Sequence, residues 1–192
     1  MAKKTEFKPD KPRSNILSKL YLTQTQRKTL LKWFLYSVVL LVLSVLQDVV
    51  LCKMNIFGAT TELVPCGIFL ICLLEGKETG CLFALIAGSI YVFSGTAAGN
   101  YCIVFITAIG TFFSFLRQSF LQKGFSAALL CTFTANLVYE LAVFGLGLFF
   151  SQTFPARIGV FMLTAVLSTL IVPILYPLFC AIGKIGGDPW KE

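Results

Sequence analysis

Three acidic residues lie at or within long apolar stretches of this sequence: Asp48, Glu62 and Glu140. A carboxylate is costly to bury in a lipid-like environment, so an acid in such a stretch is a candidate functional residue. At 1.5 Å per residue, Asp48 and Glu140 lie about 20 Å along their stretches, and Glu62 begins a third. The acids therefore predict an outward-facing polar cavity or a docking point for a partner, with Lys53 or Arg157 as counter-charges. The alternative is that each carboxylate simply reaches the lipid headgroups.

The cysteines do not predict catalysis or metal binding. The chain has seven cysteines, none in a CxxC pair, and no histidine. Zinc sites, haem attachment and Cys–His nucleophiles need such groupings, so these cysteines are interpreted as small apolar side chains. No two carboxylates have a spacing that indicates acid–base catalysis. The sequence thus predicts a protein that is not an enzyme and that carries no metal or other cofactor.

Composition indicates that these residues belong to a membrane protein. Hydrophobic residues make up 57% of the chain, charged residues only 13%, and the mean hydropathy is +0.83. A helical span needs about 20 apolar residues, so the chain accommodates about six spans and short loops. The sequence predicts an all-α, polytopic membrane helical bundle over residues 33–183. The predicted spans are 33–52, 60–75, 80–97, 100–117, 125–149 and 157–183.

The basic residues predict the orientation of this bundle. Nine of the 16 Lys and Arg residues lie in the first 32 positions. Six crossings place 14 of the 16 on one side of the membrane, and such an excess marks the cytoplasmic side, so both termini are expected in the cytoplasm. Residues 1–32 then form a basic cytoplasmic arm with a short interfacial helix near 14–22, and residues 184–192 form a short tail. The net charge of +7 is interpreted as a topology signal and a contact for anionic lipid, not as a nucleic-acid site.

Two small-residue features stand out in the middle of the chain. Gly80, Ala84 and Gly88 recur every four residues and so form one stripe of a helix. Such stripes let helix backbones approach closely, either inside the bundle or against another protein. After this stripe, Ser94 and Gly95 begin a polar, glycine-rich outer turn, where glycine permits left-handed backbone angles. A ligand-binding loop is the alternative interpretation of that turn.

Two prolines mark the last predicted span. Pro173 and Pro177 are four residues apart on one helix face. Each proline removes a backbone N–H donor, so a kink or a locally unwound segment is expected there.

The order of these motifs resembles the MreD family of the bacterial rod-shape and cell-elongation machinery. Two departures from the family pattern are Tyr91, where an acid is frequent before the Ser-Gly pair, and Thr61 with Glu62, where Pro-Asp is frequent. The matching motifs are Leu46 with Gln47; Thr61, Glu62 and Leu63; the stripe of Gly80, Ala84 and Gly88 leading to Ser94, Gly95 and Gly99; and the run from Thr164 and Ala165 to Pro173, Ile174, Leu175 and Tyr176.

The resemblance implies a non-enzymatic scaffold in the bacterial cytoplasmic membrane. Its implied partners are an MreC-like protein, penicillin-binding and glycan-polymerising proteins, and the filament protein MreB indirectly. The MreD family is also similar in fold to the substrate-binding S-components of energy-coupling-factor vitamin transporters, and this similarity supplies the alternative function. A third class, an ion- or proton-coupled carrier, would depend on Glu140. The sequence leaves open whether the protein forms a homodimer and whether a lipid or small molecule binds among its helices.

Overall fold

The computed structural model describes residues 24–53, 57–95, 97–120 and 124–186. Over these ranges the chain forms helices and short loops without a β-strand, which confirms the all-α prediction. The predicted interfacial helix near 14–22 and the end of the tail lie outside the described residues. The helices are α1 (Gln24–Val49), α2 (Leu63–Glu75), α3 (Lys77–Phe93), α4 (Cys102–Phe120), α5 (Phe125–Phe149), α6 (Ile158–Thr169) and α7 (Val172–Gly183), with short 3-10 turns at Leu51–Lys53, Pro155–Arg157 and Lys184–Gly186.

Helix α2 is the centre of the bundle. Its sequence is apolar on every side, and a helix without a polar face is stable only when it is covered all round. Every residue of α2 from Leu63 to Leu74 is buried, and each of the other six described α-helices contacts it. A methyl group at Gly67 would lie 3.0 Å from a methyl carbon of Leu40, so the missing side chain lets α1 approach closely.

The helices have the length and surface expected of a membrane protein. Two helices, α1 and α5, are long and apolar enough to cross a bilayer, and the bent pair α6–α7 would be a third if it forms one span. Helices α2, α3 and α4 are apolar but shorter. Large apolar side chains are exposed on the outside of the bundle, which water would disfavour and lipid would not. Examples are Phe34, Leu41, Leu82, Ile90, Leu130 and Ile174.

Several helix boundaries differ from the predicted spans. Helix α1 begins at Gln24, well before residue 33, because the polar residues at its start still have helical propensity. Helix α3 begins at Lys77, because Gly76 alone makes the turn after α2, with a φ of +92° that only glycine adopts readily.

The last predicted span is broken into two helices. Helices α6 and α7 meet at an angle of 46°, with the break at Leu170 and Ile171. Pro173 is the second residue of α7, where a helix does not need its N–H, and Pro177 lies inside α7. The bend expected from these prolines is therefore present, just before the first of them.

The small-residue stripe of α3 faces the interior of the bundle. A methyl group at Gly80 would lie 2.8 Å from Ser114 Oγ and 3.1 Å from the carbonyl oxygen of Cys72. Ala84 is fully buried, and a methyl group at Gly110 would lie 3.2 Å from its Cβ. The stripe thus brings α3 against α2 and α4.

The two ends of the bundle are defined by the direction of α1. We call the end of the bundle where α1 begins the proximal end, and the end where α1 finishes the distal end. The junction of α2 and α3 lies at the proximal end, because Glu75 contacts Lys32. The turn after α3 lies at the distal end and has the left-handed glycine that was predicted, Gly95, with a φ of +80°. The exposed Ser94 donates its hydroxyl hydrogen to the carbonyl oxygen of Tyr91.

Candidate functional site

Polar side chains from several helices meet in the distal half of the bundle. Tyr91 and Glu140 each lie about 21–23 Å from the start of their helix, at 1.5 Å per residue. That depth lies within a hydrocarbon layer of about 30 Å. We call this group the distal polar cluster; its members are Gln47, Glu62, Tyr91, Asn136, Tyr139, Glu140 and Ser168.

Gln47 organises the cluster by capping the central helix. The first N–H groups of any helix lack partners within the helix. At the start of α2, the N–H groups of Leu63 and Val64 donate to Gln47 Oε1, at 2.8 and 3.0 Å. The amide nitrogen of Gln47 donates to the hydroxyl of Tyr91 at 3.5 Å. One side chain of α1 therefore holds both the beginning of α2 and the tyrosine of α3.

Glu62 lies at the same helix end but does not cap it. Its carboxylate instead accepts a hydrogen bond from the Tyr91 hydroxyl at 3.4 Å. Its backbone N–H donates to Ser168 Oγ at 2.9 Å, which places it against α6. The beginning of a helix favours negative charge, so the position suits a carboxylate.

Glu140 is buried and lacks a hydrogen-bond partner. The residue is only 4% exposed, and its carboxylate forms no hydrogen bond with any residue in the described ranges. The carboxyl group of Glu62 is one of its electrostatic neighbours. One helical turn earlier, Asn136 donates to Thr169 Oγ1 at 3.4 Å.

Of the three acids that the sequence singled out, Glu62 and Glu140 belong to the distal polar cluster. Asp48 lies in the last turn of α1, and its Oδ1 is buried without a hydrogen-bond partner among the described residues. The expected counter-charges are not found: Lys53 and Arg157 are exposed and form no ion pair within the part of the chain that is described. They lie in the 3-10 turns beyond the ends of the helices, too close to the surface to pair with buried acids.

An ion pair that sequence reasoning missed lies at the proximal end. Lys32 Nζ lies 2.5 Å from Glu75 Oε2, with side-chain exposures of 10% and 3%. The hydroxyl of Tyr36 donates to Glu75 Oε1 at 2.6 Å. The prediction placed Lys32 at the end of the basic arm and Glu75 at the end of the span 60–75. The available signal was the spacing of Lys32 and Tyr36, which puts both on one face of α1.

A groove on the outside of the bundle separates α1 from α3. Its volume is about 600 Å³, its floor includes Val64 of α2, and its walls are almost entirely apolar. It runs from Trp33 and Thr79 near the proximal end to Ser94 near the distal end. Sequence reasoning did not foresee it, because it depends on how far apart α1 and α3 lie.

The hydroxyl, amide and carboxyl groups of the distal polar cluster can form hydrogen bonds, and its carboxyl groups can attract positive charge. No three His, Cys, Asp or Glu residues of the described chain converge to hold a metal ion. The predicted stripe and the two prolines lie outside this cluster, in the helix contacts described above. The chain matches no protein-family model, no curated protein and no solved structure.

Proposed function

We propose that this chain is a non-enzymatic integral membrane scaffold of the bacterial cell-elongation machinery, linking wall synthesis to the cytoskeleton. In this proposal it crosses the cytoplasmic membrane six times, with both termini in the cytoplasm. Its partners are an MreC-like protein, penicillin-binding and glycan-polymerising proteins, and MreB indirectly. The motif order described above supports the choice of family. The groove between α1 and α3 is the surface that a partner would bind.

The groove is the observation that carries the proposal. It is open on the side of the bundle that lipid would cover, and its rims include the exposed residues Leu41 and Leu82. Ser37 and Ser44 of α1 line it seven residues apart, on one face of the helix. Small residues at such spacing let a second helix approach, and close packing is what associates helices in lipid. The groove therefore suits the single membrane helix of a partner.

The test is retention of an MreC-like partner after a change that fills the groove. Replacing Ser44 with Trp places a large ring where the partner helix would lie. We expect at least about tenfold less partner to co-purify in mild detergent, which corresponds to about 1.4 kcal/mol of lost binding. Rod-shaped cells that rely on this variant should become round.

The matched control is Thr134→Trp. Thr134 is an exposed hydroxyl residue of α5, away from the groove, so this change adds the same ring to a different face. It should leave partner retention and cell shape unchanged. Equal retention by the Ser44→Trp and wild-type proteins would contradict the proposal.

The second candidate function is a substrate-binding S-component of a vitamin transporter. The observation that favours it is the distal polar cluster, where buried Glu140 has no hydrogen-bond partner among the described residues. A vitamin supplied at 100 times its Kd would stabilise such a protein by about 2.7 kcal/mol. A scaffold should show no stabilisation by any vitamin, so thermal unfolding of the purified protein separates the two functions.

A further inference from the structure

One carboxyl oxygen near the end of α1 is buried without a hydrogen bond. It is Oδ1 of Asp48, for which the described residues offer no donor. Asp48 also forms no ion pair within the described part of the chain, although Lys53 follows it in the 3-10 turn after α1. Buried polar atoms in native proteins nearly always have a partner, so an unsatisfied oxygen calls for a physical explanation.

Helical spacing places Asp48 at the distal mouth of the groove between α1 and α3. Ser44 and Val45 line the groove, and Asp48 follows them by four and three residues, on the same face of α1. The hydrogen bond from Gln47 to Tyr91 holds α1 beside α3 at this level. Asp48 therefore lies one turn beyond the last groove-lining residues of α1, where the groove opens toward the distal end.

The chain covers part of this carboxylate without compensating its charge. Asp48 as a whole is half-buried, so the rest of the group stays accessible. It lies roughly 22 Å along α1 from Trp33, a residue type that suits the headgroup region, and a hydrocarbon layer is about 30 Å thick. An unpaired charge at that depth is costly. The two oxygens of a carboxylate share one negative charge, so a cation at the accessible side compensates for both.

A helix that occupies the groove is placed to supply this positive charge. The groove walls are almost entirely apolar, so the occupying helix must be apolar along most of its length. Lys and Arg have long apolar stems, which let the charged group reach beyond the turn that carries it. A zwitterionic lipid would bring a phosphate together with its ammonium group, so a basic side chain complements the acid better.

We propose that Asp48 is the docking point for a Lys or Arg at the distal end of the partner helix that lies in the groove. This inference rests on the proposed function and adds the chemistry of the partner to it. Apolar packing in the groove associates the two helices. The pair of Asp48 with the partner's cation then fixes how deep the partner helix lies, and it selects against single-span proteins that lack the charge.

The test compares Asp48→Asn with the wild type for retention of the MreC-like partner in mild detergent. Loss of the carboxylate leaves the partner's cation unpaired, so at least about tenfold less partner should co-purify. Asp48→Glu keeps the charge and should retain the partner. Glu78→Gln, a matched neutralisation of an exposed acid at the proximal end of α3, should retain it as well.

Charge exchange separates a direct pair from an indirect effect. Asp48→Lys should lose the partner, and replacing the basic residue at the distal end of the partner's membrane helix with Glu should restore it. The purified Asp48→Asn protein should be no less stable than the wild type in thermal unfolding, because Oδ1 accepts no hydrogen bond from the described residues.

The outcomes distinguish this proposal from the scaffold function. Retention of the partner by Asp48→Asn, together with its loss from Ser44→Trp, would overturn the docking point and leave the scaffold function unaffected. A loss that no charge exchange restores, or that comes with a lower Tm, would show that Asp48 acts on the fold, which also overturns the proposal. Equal retention by Ser44→Trp and the wild type would contradict the scaffold function and the docking point with it.

Discussion

At the scale of single residues, burial decides what each charge can do. Lys32 and Glu75 are both buried but paired, and Tyr36 supplies a further hydrogen bond to the carboxylate. Glu140 is buried and Glu62 is half-buried, and neither forms an ion pair within the described residues. The ion pair of Lys32 and Glu75 fastens α1 to the end of α2.

The ion pair gives a prediction at this scale. Lys32→Met leaves Glu75 buried without its counter-charge, and breaking a buried pair in this way costs roughly 3–5 kcal/mol. The double variant Lys32→Met, Glu75→Gln removes both charges and should be more stable than the single variant. Reversible unfolding in mixed micelles measures both.

A double-mutant cycle separates the coupling of the two residues from other effects of each change. The expected coupling is favourable and larger than the 0–1 kcal/mol typical of an exposed pair. Additive effects of the two substitutions would show that Lys32 and Glu75 do not interact in the bilayer.

At the scale of helices, the short predicted span 60–75 proves to be the central one. Residues 60–75 form a short stretch without periodicity, and that lack of a polar face is what the centre of a bundle requires. The neighbouring stripe of Gly80, Ala84 and Gly88 has a clear period, because α3 meets α2 and α4 along one side only.

Close packing at Gly80 gives the prediction for this scale. Gly80→Ala places a methyl group 2.8 Å from Ser114 Oγ and 3.1 Å from the backbone oxygen of Cys72. The backbone of a central helix cannot easily move, so we expect a loss of about 1–3 kcal/mol in the free energy of unfolding. Gly145→Ala is the control, because no atom lies within 4 Å of a methyl group there. Equal stability of the two variants would argue against this helix contact.

At the scale of the whole molecule, the lengths of the helices constrain how the bundle can cross a membrane. Two helices are long enough to cross by themselves, and the bent pair α6–α7 is a third candidate. Helices α2, α3 and α4 are shorter. Six crossings therefore require each of these helices to cross the bilayer together with the loop residues that flank it. The exposed apolar surface around the bundle supports burial in lipid.

Reporter fusions test the proposed orientation. A fluorescent protein fused after residue 192 should fluoresce, because it folds in the cytoplasm. Alkaline phosphatase fused after Asn100, between α3 and α4, should be active, because it requires an oxidising compartment. The reverse pattern at both positions would contradict cytoplasmic termini, and activity of the phosphatase at both would contradict an even number of crossings.

The sequence by itself determined the all-helical class and the positions of several turns between helices. Apolar runs of sufficient length, glycine at Gly76 and Gly95, and proline at Pro173 act through the local backbone, so they are readable without knowledge of the fold. The acids were recognisable as candidates for the same reason, since an ionisable residue in an apolar run is unusual wherever the run is placed.

Only the tertiary structure decided which of these residues meet. Lys32 and Glu75 are 43 positions apart, and Gln47 reaches N–H groups 16 and 17 positions away. Such contacts depend on the rotation of each helix about its axis and on which helix occupies the centre. Those quantities follow from the packing of all seven described helices together, and no local pattern encodes them. The cap that Gln47 places on α2, and the groove beside α1, arise in this way.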